Sequence, residues 1–292
     1  MIDEARSFIW HHARVLEQRR FEFLFDGGPV EPVLHALLAY RNTDGGFGHA
    51  LEPDGRGPNS QPLHVFSALS RLDELGLGGS EHALAACDYL RTVTFPDGGV
   101  PTGVKASEQH PHSPWWAIED AGSLLPTALI SGLLHKNKVD HPWLTRATEF
   151  CWERVEGLEK THPYEANAAA RFLDHVPDRE RAEAQMARIG GLVREQNLVD
   201  LGQPIKEAEG YSAGEVHQPT DYVPEPSSLA RKWFSDAEFD RALDKVAAGQ
   251  QEDGGWTFGW PSWTPGTKYE WGPIVTIESL VLLRNFGRLP AE

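Results

Sequence analysis

The tripeptide Asp-Gly-Gly occurs four times, at Asp26-Gly27-Gly28, Asp44-Gly45-Gly46, Asp97-Gly98-Gly99 and Asp253-Gly254-Gly255. The last three share a context. An amphipathic stretch leads into the glycines, an apolar residue follows them (Phe47, Val100, Trp256), and a Pro/Trp-rich segment runs on to a second, more apolar stretch. Self-similarity at a spacing of roughly 50 residues marks stacked helix pairs, each of which buries its apolar face only against its neighbours.

Two helix types follow from the residue pattern. In Phe239 to Gln251, Phe239, Leu243, Val246 and Ala247 fall on one face and Asp240, Asp244 and Lys245 on the other, and Ser235 with Glu238 reads as a capping box. That predicts an outer helix with one wet side. Its successor, read as starting at Pro273, runs through Ile274, Val275, Ile277, Leu280, Val281, Leu282 and Leu283, so it has to be covered all round. The same alternation pairs Ala83 to Thr92 with Leu124 to Leu134, and Ala182 to Gln196 with Pro226 to Phe234. Asp3 to Phe25 reads as a lead-in helix, and Trp143 to Val176 as a repeat that has lost its glycine turn. No segment sustains two-residue alternation between hairpin turns, so strands are not expected. The expected fold class is all-α: an α/α toroid, a double ring of inner and outer helices with long Gly/Pro/Trp-rich loops. It is expected to be a single domain over 1–292, with 1–30 as the lead-in.

Charge narrows the partners. With 27 Lys and Arg against 43 Asp and Glu the formal charge is −16, which opposes binding to phosphate backbones or to anionic lipid. No apolar stretch approaches the ~20 residues of a membrane span. Met1-Ile2-Asp3-Glu4 carries acid where a leader would carry base. Two cysteines, Cys87 and Cys151, give no disulfide framework, so a cytoplasmic location is expected. No Gly-x-Ser-x-Gly elbow occurs, and Gly45-Gly46 and Gly254-Gly255 lack the Lys-Ser/Thr of a phosphate-binding loop. No cofactor is implied, and the oligomeric state is left open.

Two stretches resemble a known superfamily. Gln250-Gln251-Glu252-Asp253-Gly254-Gly255-Trp256 is similar to the glutamine-tryptophan motif of squalene-hopene cyclases, with Gln250, Gly254 and Trp256 at the matching spacing. Asp44-Gly45-Gly46-Phe47-Gly48, followed by Pro58, Gln61 and Pro62, is similar to the glycine-rich turn of protein prenyltransferase β subunits. The resemblance to these terpenoid cyclase and prenyltransferase toroids implies the fold, and it implies that Gln250 and Trp256 tie neighbouring helices together. The chemistry departs from the family. The Asp-x-Asp-Asp motif of class II cyclases is missing, its nearest approach being Ala117-Ile118-Glu119-Asp120 at the start of an apolar helix. The magnesium motif of class I synthases and the Asp-x-Cys pair of the prenyltransferase zinc site are missing as well.

The candidate site residues lie in the long loops. His49, Glu52, Asp54, Arg56 and His64 crowd between one glycine turn and the next inner helix. There, either acid can act as a proton donor if desolvated, or form a loop-stabilising cluster with Arg56. Trp115 and Trp116 precede Glu119 and Asp120, which read as proton donors or as acids at a helix N-terminus. His110 and His112 lack a third ligand, so no metal site is expected. Tyr164, Tyr222, Trp260, Trp263 and Trp271 complete the set; aromatic faces can stabilise a carbocation, stack on sugars, or close the core. The reading is acid catalysis by Glu119, Asp120, Asp54 or Glu52 on a hydrophobic, isoprenoid-like small molecule in a central cavity. The alternatives are a carbohydrate-active toroid, hydrolase or lyase, and a non-catalytic ligand-binding toroid.

Overall fold

A computed structural model describes residues 1–203 and 215–289. The described residues are helical: α1 (Ile2–His12), α2 (Val15–Phe25), α3 (Val30–Leu38), α4 (Pro62–Glu74), α5 (Glu81–Val93), α6 (Leu124–Lys136), α7 (Pro142–Gly157), α8 (Pro163–His175), α9 (Arg179–Glu195), the single turn α10 (Pro219–Tyr222), α11 (Asp236–Ala248) and α12 (Pro265–Asn285). Among them no strand forms; β-type pairing is limited to isolated bridges such as Arg41 with Phe47 and Gln250 with Trp256. None of these helices is long and apolar enough to cross a membrane.

The chain divides into two compact units, Leu37–Gln196 and Met1–Ala36 with Asn197–Glu292. In the first, α6 packs on both α4 and α8, while α5, α7 and α9 cover them. The expected all-round burial of α6 is met in part: Leu124, Ala128, Ile130 and Leu134 are buried, and so are Thr127, Ser131 and Gly132, while Leu125, Leu129 and Leu133 along one stripe are half-buried. At Gly132 a Cβ would lie 2.6 Å from the Arg171 carbonyl oxygen, so glycine sets how closely α6 approaches α8. In the second unit α1 lies on α2 and α12, around a core of Ala5, Ile9, Phe21, Trp256, Ile277, Leu280 and Leu283.

Three glycine turns share one construction. In each, the first glycine has a positive φ (Gly45 +87°, Gly98 +97°, Gly254 +93°), a region that side chains avoid. The aspartate Oδ1 accepts from the amide of the second glycine at 2.9, 3.1 and 3.0 Å respectively. The Gly45 and Gly98 turns dock on the amphipathic helices that follow them, α5 and α7, and the Gly254 turn docks on α1, each at three points. The residue that opens the turn reaches the helix start: Arg41 Nη1 donates to His82 Nδ1 at 3.1 Å, Trp143 Nε1 donates to Thr94 Oγ1 at 2.8 Å, and Gln250 Nε2 donates to the Met1 carbonyl at 2.8 Å. Three residues further along, a Cβ on the first glycine would lie 2.5, 2.7 and 2.1 Å from the carbonyl oxygens of Ala85, Arg146 and Glu4. After another helical turn the second glycine faces the rings of Tyr89, Phe150 and Phe8. The last glycine turn therefore docks on the first helix in the register that the others use on their successors. The apolar residue after each turn is buried, and the Val100 and Trp256 amides donate to Thr127 Oγ1 and Thr276 Oγ1 at 3.0 and 2.9 Å.

Asp26-Gly27-Gly28 is a different structure. It ends α2 directly, with the amides of Asp26 and Gly28 both donating to the Glu22 carbonyl, as a helix C-cap does.

Three sequence expectations are corrected. The lead-in is two helices, α1 and α2, broken at Ala13, whose extended backbone ends α1. Pro226 to Phe234 is no apolar helix: Arg231 and Lys232 interrupt its apolar pattern, the Ser235 capping box begins α11 at once, and only a 3₁₀ turn, Leu229–Trp233, forms. The helix read as starting at Pro273 starts at Pro265, where Thr264 caps it by accepting from the Thr267 amide, and Pro273 lies inside it.

Candidate functional site

In the unit Leu37–Gln196, the loop after Phe47 and the loop before α6 run against each other. The Arg56 amide donates to the Pro111 carbonyl at 3.0 Å and the Ser113 amide to the Asp54 carbonyl at 2.8 Å, on either side of a Gly55–His112 bridge. A Cβ on Gly55 would lie 1.6 Å from the Trp116 ring, so this approach requires glycine. Val104 N donates to Gln61 Oε1 at 2.9 Å and fastens the second loop to the start of α4.

The loop pair buries polar groups. Asp54 is 7% exposed, and its Oδ2 accepts from Trp115 Nε1 at 2.8 Å. Its amide donates to Glu52 Oε2 at 3.2 Å, and the Glu52 amide donates to His64 Nδ1 at 3.0 Å. A neutral His64 consequently carries its proton on Nε2. The His64 ring is fully buried and meets Trp116 edge-on at 5.2 Å, while Trp116 Nε1 donates to the Thr102 carbonyl at 2.8 Å. His49 and Ala50 both take left-handed backbone angles (φ 59° and 61°) in a reversal closed by Leu51 N and Gly48 O at 3.1 Å. Left-handed conformation costs a non-glycine residue about 1 kcal/mol or more, so strain is held two residues from Glu52.

Of the candidates, Glu52, Asp54, His64, Trp115 and Trp116 come together here, with His49 at the loop's exposed edge and bonded to Asn42 Oδ1 at 3.0 Å. Arg56 contributes its backbone to the loop pairing and exposes its side chain. Glu119 and Asp120 are exposed and precede Ser123, the N-cap of α6, so they do not lie on the first turn of that helix as the sequence suggested. Tyr164, in the first turn of α8, is 36% exposed and stacks on His162 at 5.6 Å. Sequence reasoning missed Ser113, which is wholly buried with its hydroxyl lacking a partner among the described residues; only the pairing of the two loops buries it, and no periodicity signals it.

In the other unit the aromatic residues separate into two groups. Tyr222 is core: it is 1% exposed, its hydroxyl donates to the Leu198 carbonyl at 3.0 Å, and its ring contacts Trp233 and Phe234. Burial raises its hydroxyl well above the ordinary tyrosine value. Trp260 instead contacts Phe258 at 4.8 Å and Trp271 at 5.1 Å, the latter edge-on. Trp263, half-buried, lies in the same loop. Glu215, 8% exposed, sits beside this cluster: a Cβ on Gly259 would lie 3.9 Å from its Cγ. Glu215 was also missed, because its neighbours in sequence carry no motif. Among the described residues no three His, Cys, Asp or Glu side chains gather as metal ligands.

No protein-family model and no curated protein matches the chain. The crystal structure of a protein from Actinoplanes is similar in fold, with a TM-score of 0.58 and 19% identity over 98% of this chain and 89% of that one. At that identity the likeness bears on the fold alone. The class defined is an all-α protein of paired helices joined by glycine turns.

Proposed function

We propose that the chain is a terpenoid cyclase-like α/α toroid that performs acid-catalysed chemistry on a hydrophobic, isoprenoid-like small molecule in a central cavity, with Asp54 as the acid. The ring closure is supported by the dock of the Gly254 turn on α1, which repeats the register of the other two docks. The observation that carries the chemistry is Asp54 itself, a carboxyl 7% exposed and hydrogen-bonded to the Trp115 indole. Trp115, which holds Oδ2, is 41% exposed, so its ring can withdraw when a substrate arrives. Release of that N–H, which favours the ionised carboxylate, makes it easier for the carboxyl to hold the proton that it must donate. Glu119 and Asp120, open to water, lack the dry surroundings that such a step needs.

That exposure also supports a second reading, a toroid that binds the same ligand class without turnover. Native mass spectrometry of the purified protein would identify any retained ligand, and incubation with farnesol, geranylgeraniol and squalene followed by gas chromatography would detect products. Under the first reading at least one compound is converted, Asp54→Asn lowers the rate by about 10²-fold or more, and Glu119→Gln leaves it unchanged. Binding without conversion supports the second reading over the first. Retention of a sugar, or full activity in Asp54→Asn, overturns the proposal.

A further inference from the structure

The Phe258, Trp260 and Trp271 rings form an apolar corner with an unmet demand inside it. The Trp260 indole N–H is buried and has no hydrogen-bond partner among the described residues. A buried donor left unpaired is costly, by more than a typical bond contributes when made. Indole is a donor only, so the demand is for an acceptor. Glu215, whose Cγ lies 3.9 Å from where a Cβ on Gly259, the residue before Trp260, would sit, carries the opposite chemistry, carboxyl oxygens that accept. A carboxylate offers about four acceptor sites, enough to serve a ligand beside contacts it already makes.

We infer that this corner binds the hydroxyl end of a hydrophobic alcohol. A hydroxyl both accepts and donates, so it can take the Trp260 N–H and give its own hydrogen to Glu215. A ketone or an ether can accept but not donate, and a hydrocarbon can do neither. The rings supply the apolar surface for the first carbons of the chain. The inference rests on the isoprenoid reading above for the hydrophobic chain of the ligand, and the corner by itself adds that what it holds is an alcohol rather than a hydrocarbon.

The test compares farnesol with farnesene, which share a skeleton and differ at the oxygen, by isothermal titration of the intact chain. Wild type is expected to bind farnesol about tenfold more tightly, the effect of one hydrogen bond that would otherwise go unmade. Trp260→Phe keeps an aromatic ring and removes the N–H; it should bring the two ligands to parity by weakening farnesol alone. Glu215→Leu should narrow the preference as well, whereas Glu215→Gln, which keeps an acceptor oxygen, should retain it. Equal binding of both ligands to wild type, or an unchanged ratio in Trp260→Phe, overturns the inference and leaves the isoprenoid reading standing. Binding of neither ligand overturns both.

Discussion

Replacing Gly254 with alanine should damage the fold far more than the same change at Gly27, although both residues have positive φ. At Gly27 (φ +66°) an added Cβ meets nothing within 4 Å, so the cost is the left-handed penalty alone, about 1 kcal/mol. At Gly254 φ is +93°, and the Cβ would sit 2.1 Å from the Glu4 carbonyl oxygen. Carbon and oxygen normally approach no closer than about 3.3 Å, so the turn has to retreat by about 1 Å. That retreat stretches the Gln250–Met1 bond, now 2.8 Å, past useful length and costs about 1 kcal/mol. It also lifts Gly255 from the Phe8 ring, which its own Cβ position would approach to 2.6 Å. With the backbone strain, the loss comes to roughly 3–5 kcal/mol. At about 2–4 °C per kcal/mol for a chain of this size, thermal unfolding followed by circular dichroism should separate the two variants clearly. Gly45→Ala and Gly98→Ala should fall with Gly254→Ala. If Gly254→Ala melts with Gly27→Ala, the close approach does not hold the turn to the helix and the three-point dock is wrong.

His135 should make stability depend on mild acid. Burial, with a smaller effect of His175, pushes its imidazole down to about 4, so the folded chain takes up its proton later than the unfolded one. Its contribution is complete above the unfolded value near 6.5 and is lost as pH falls towards 4. After allowing for partial solvent screening this amounts to about 1–2 kcal/mol; urea unfolding at pH 7.5 and pH 5 should show the loss, and His135→Gln should reduce it. The thiols of Cys87 and Cys151 are pushed up by burial, that of Cys87 to about 12. Iodoacetamide should therefore modify neither in the native protein and both in urea, as read by mass spectrometry; rapid native labelling would contradict their burial.

The helices were legible because their signals are local. The capping box of Ser235 and Glu238 forms as read, with Ser235 N donating to Glu238 Oε2 at 2.8 Å. The apolar run of α6 packs into the core because no charged residue interrupts it between Leu124 and Leu134, and its Thr127 and Ser131 are small enough to be buried with it. What each glycine turn leans on was not legible, since Ala85, Arg146 and Glu4 share no residue type: their contribution is a backbone oxygen. The identical tripeptide at Asp26 becomes a helix cap because α2 runs straight into it. The burial of Asp54 was equally hidden, because a second loop, brought to it by Gly55 and Ser113, removes it from water.

The dock between Gly254 and α1 has a consequence for how the polypeptide is made. Gln250 and the Met1 carbonyl it grips are separated by 249 positions, so on the ribosome the first helix emerges long before its partner exists. At about 5–20 residues per second that is a wait of tens of seconds, during which Ala5 and Ile9, both fully buried in the finished protein, have Phe21 of α2 beside them but lack Trp256, Ile277, Leu280 and Leu283, which complete their core. Translation speed and chaperone capture of α1 should therefore influence the yield of this chain.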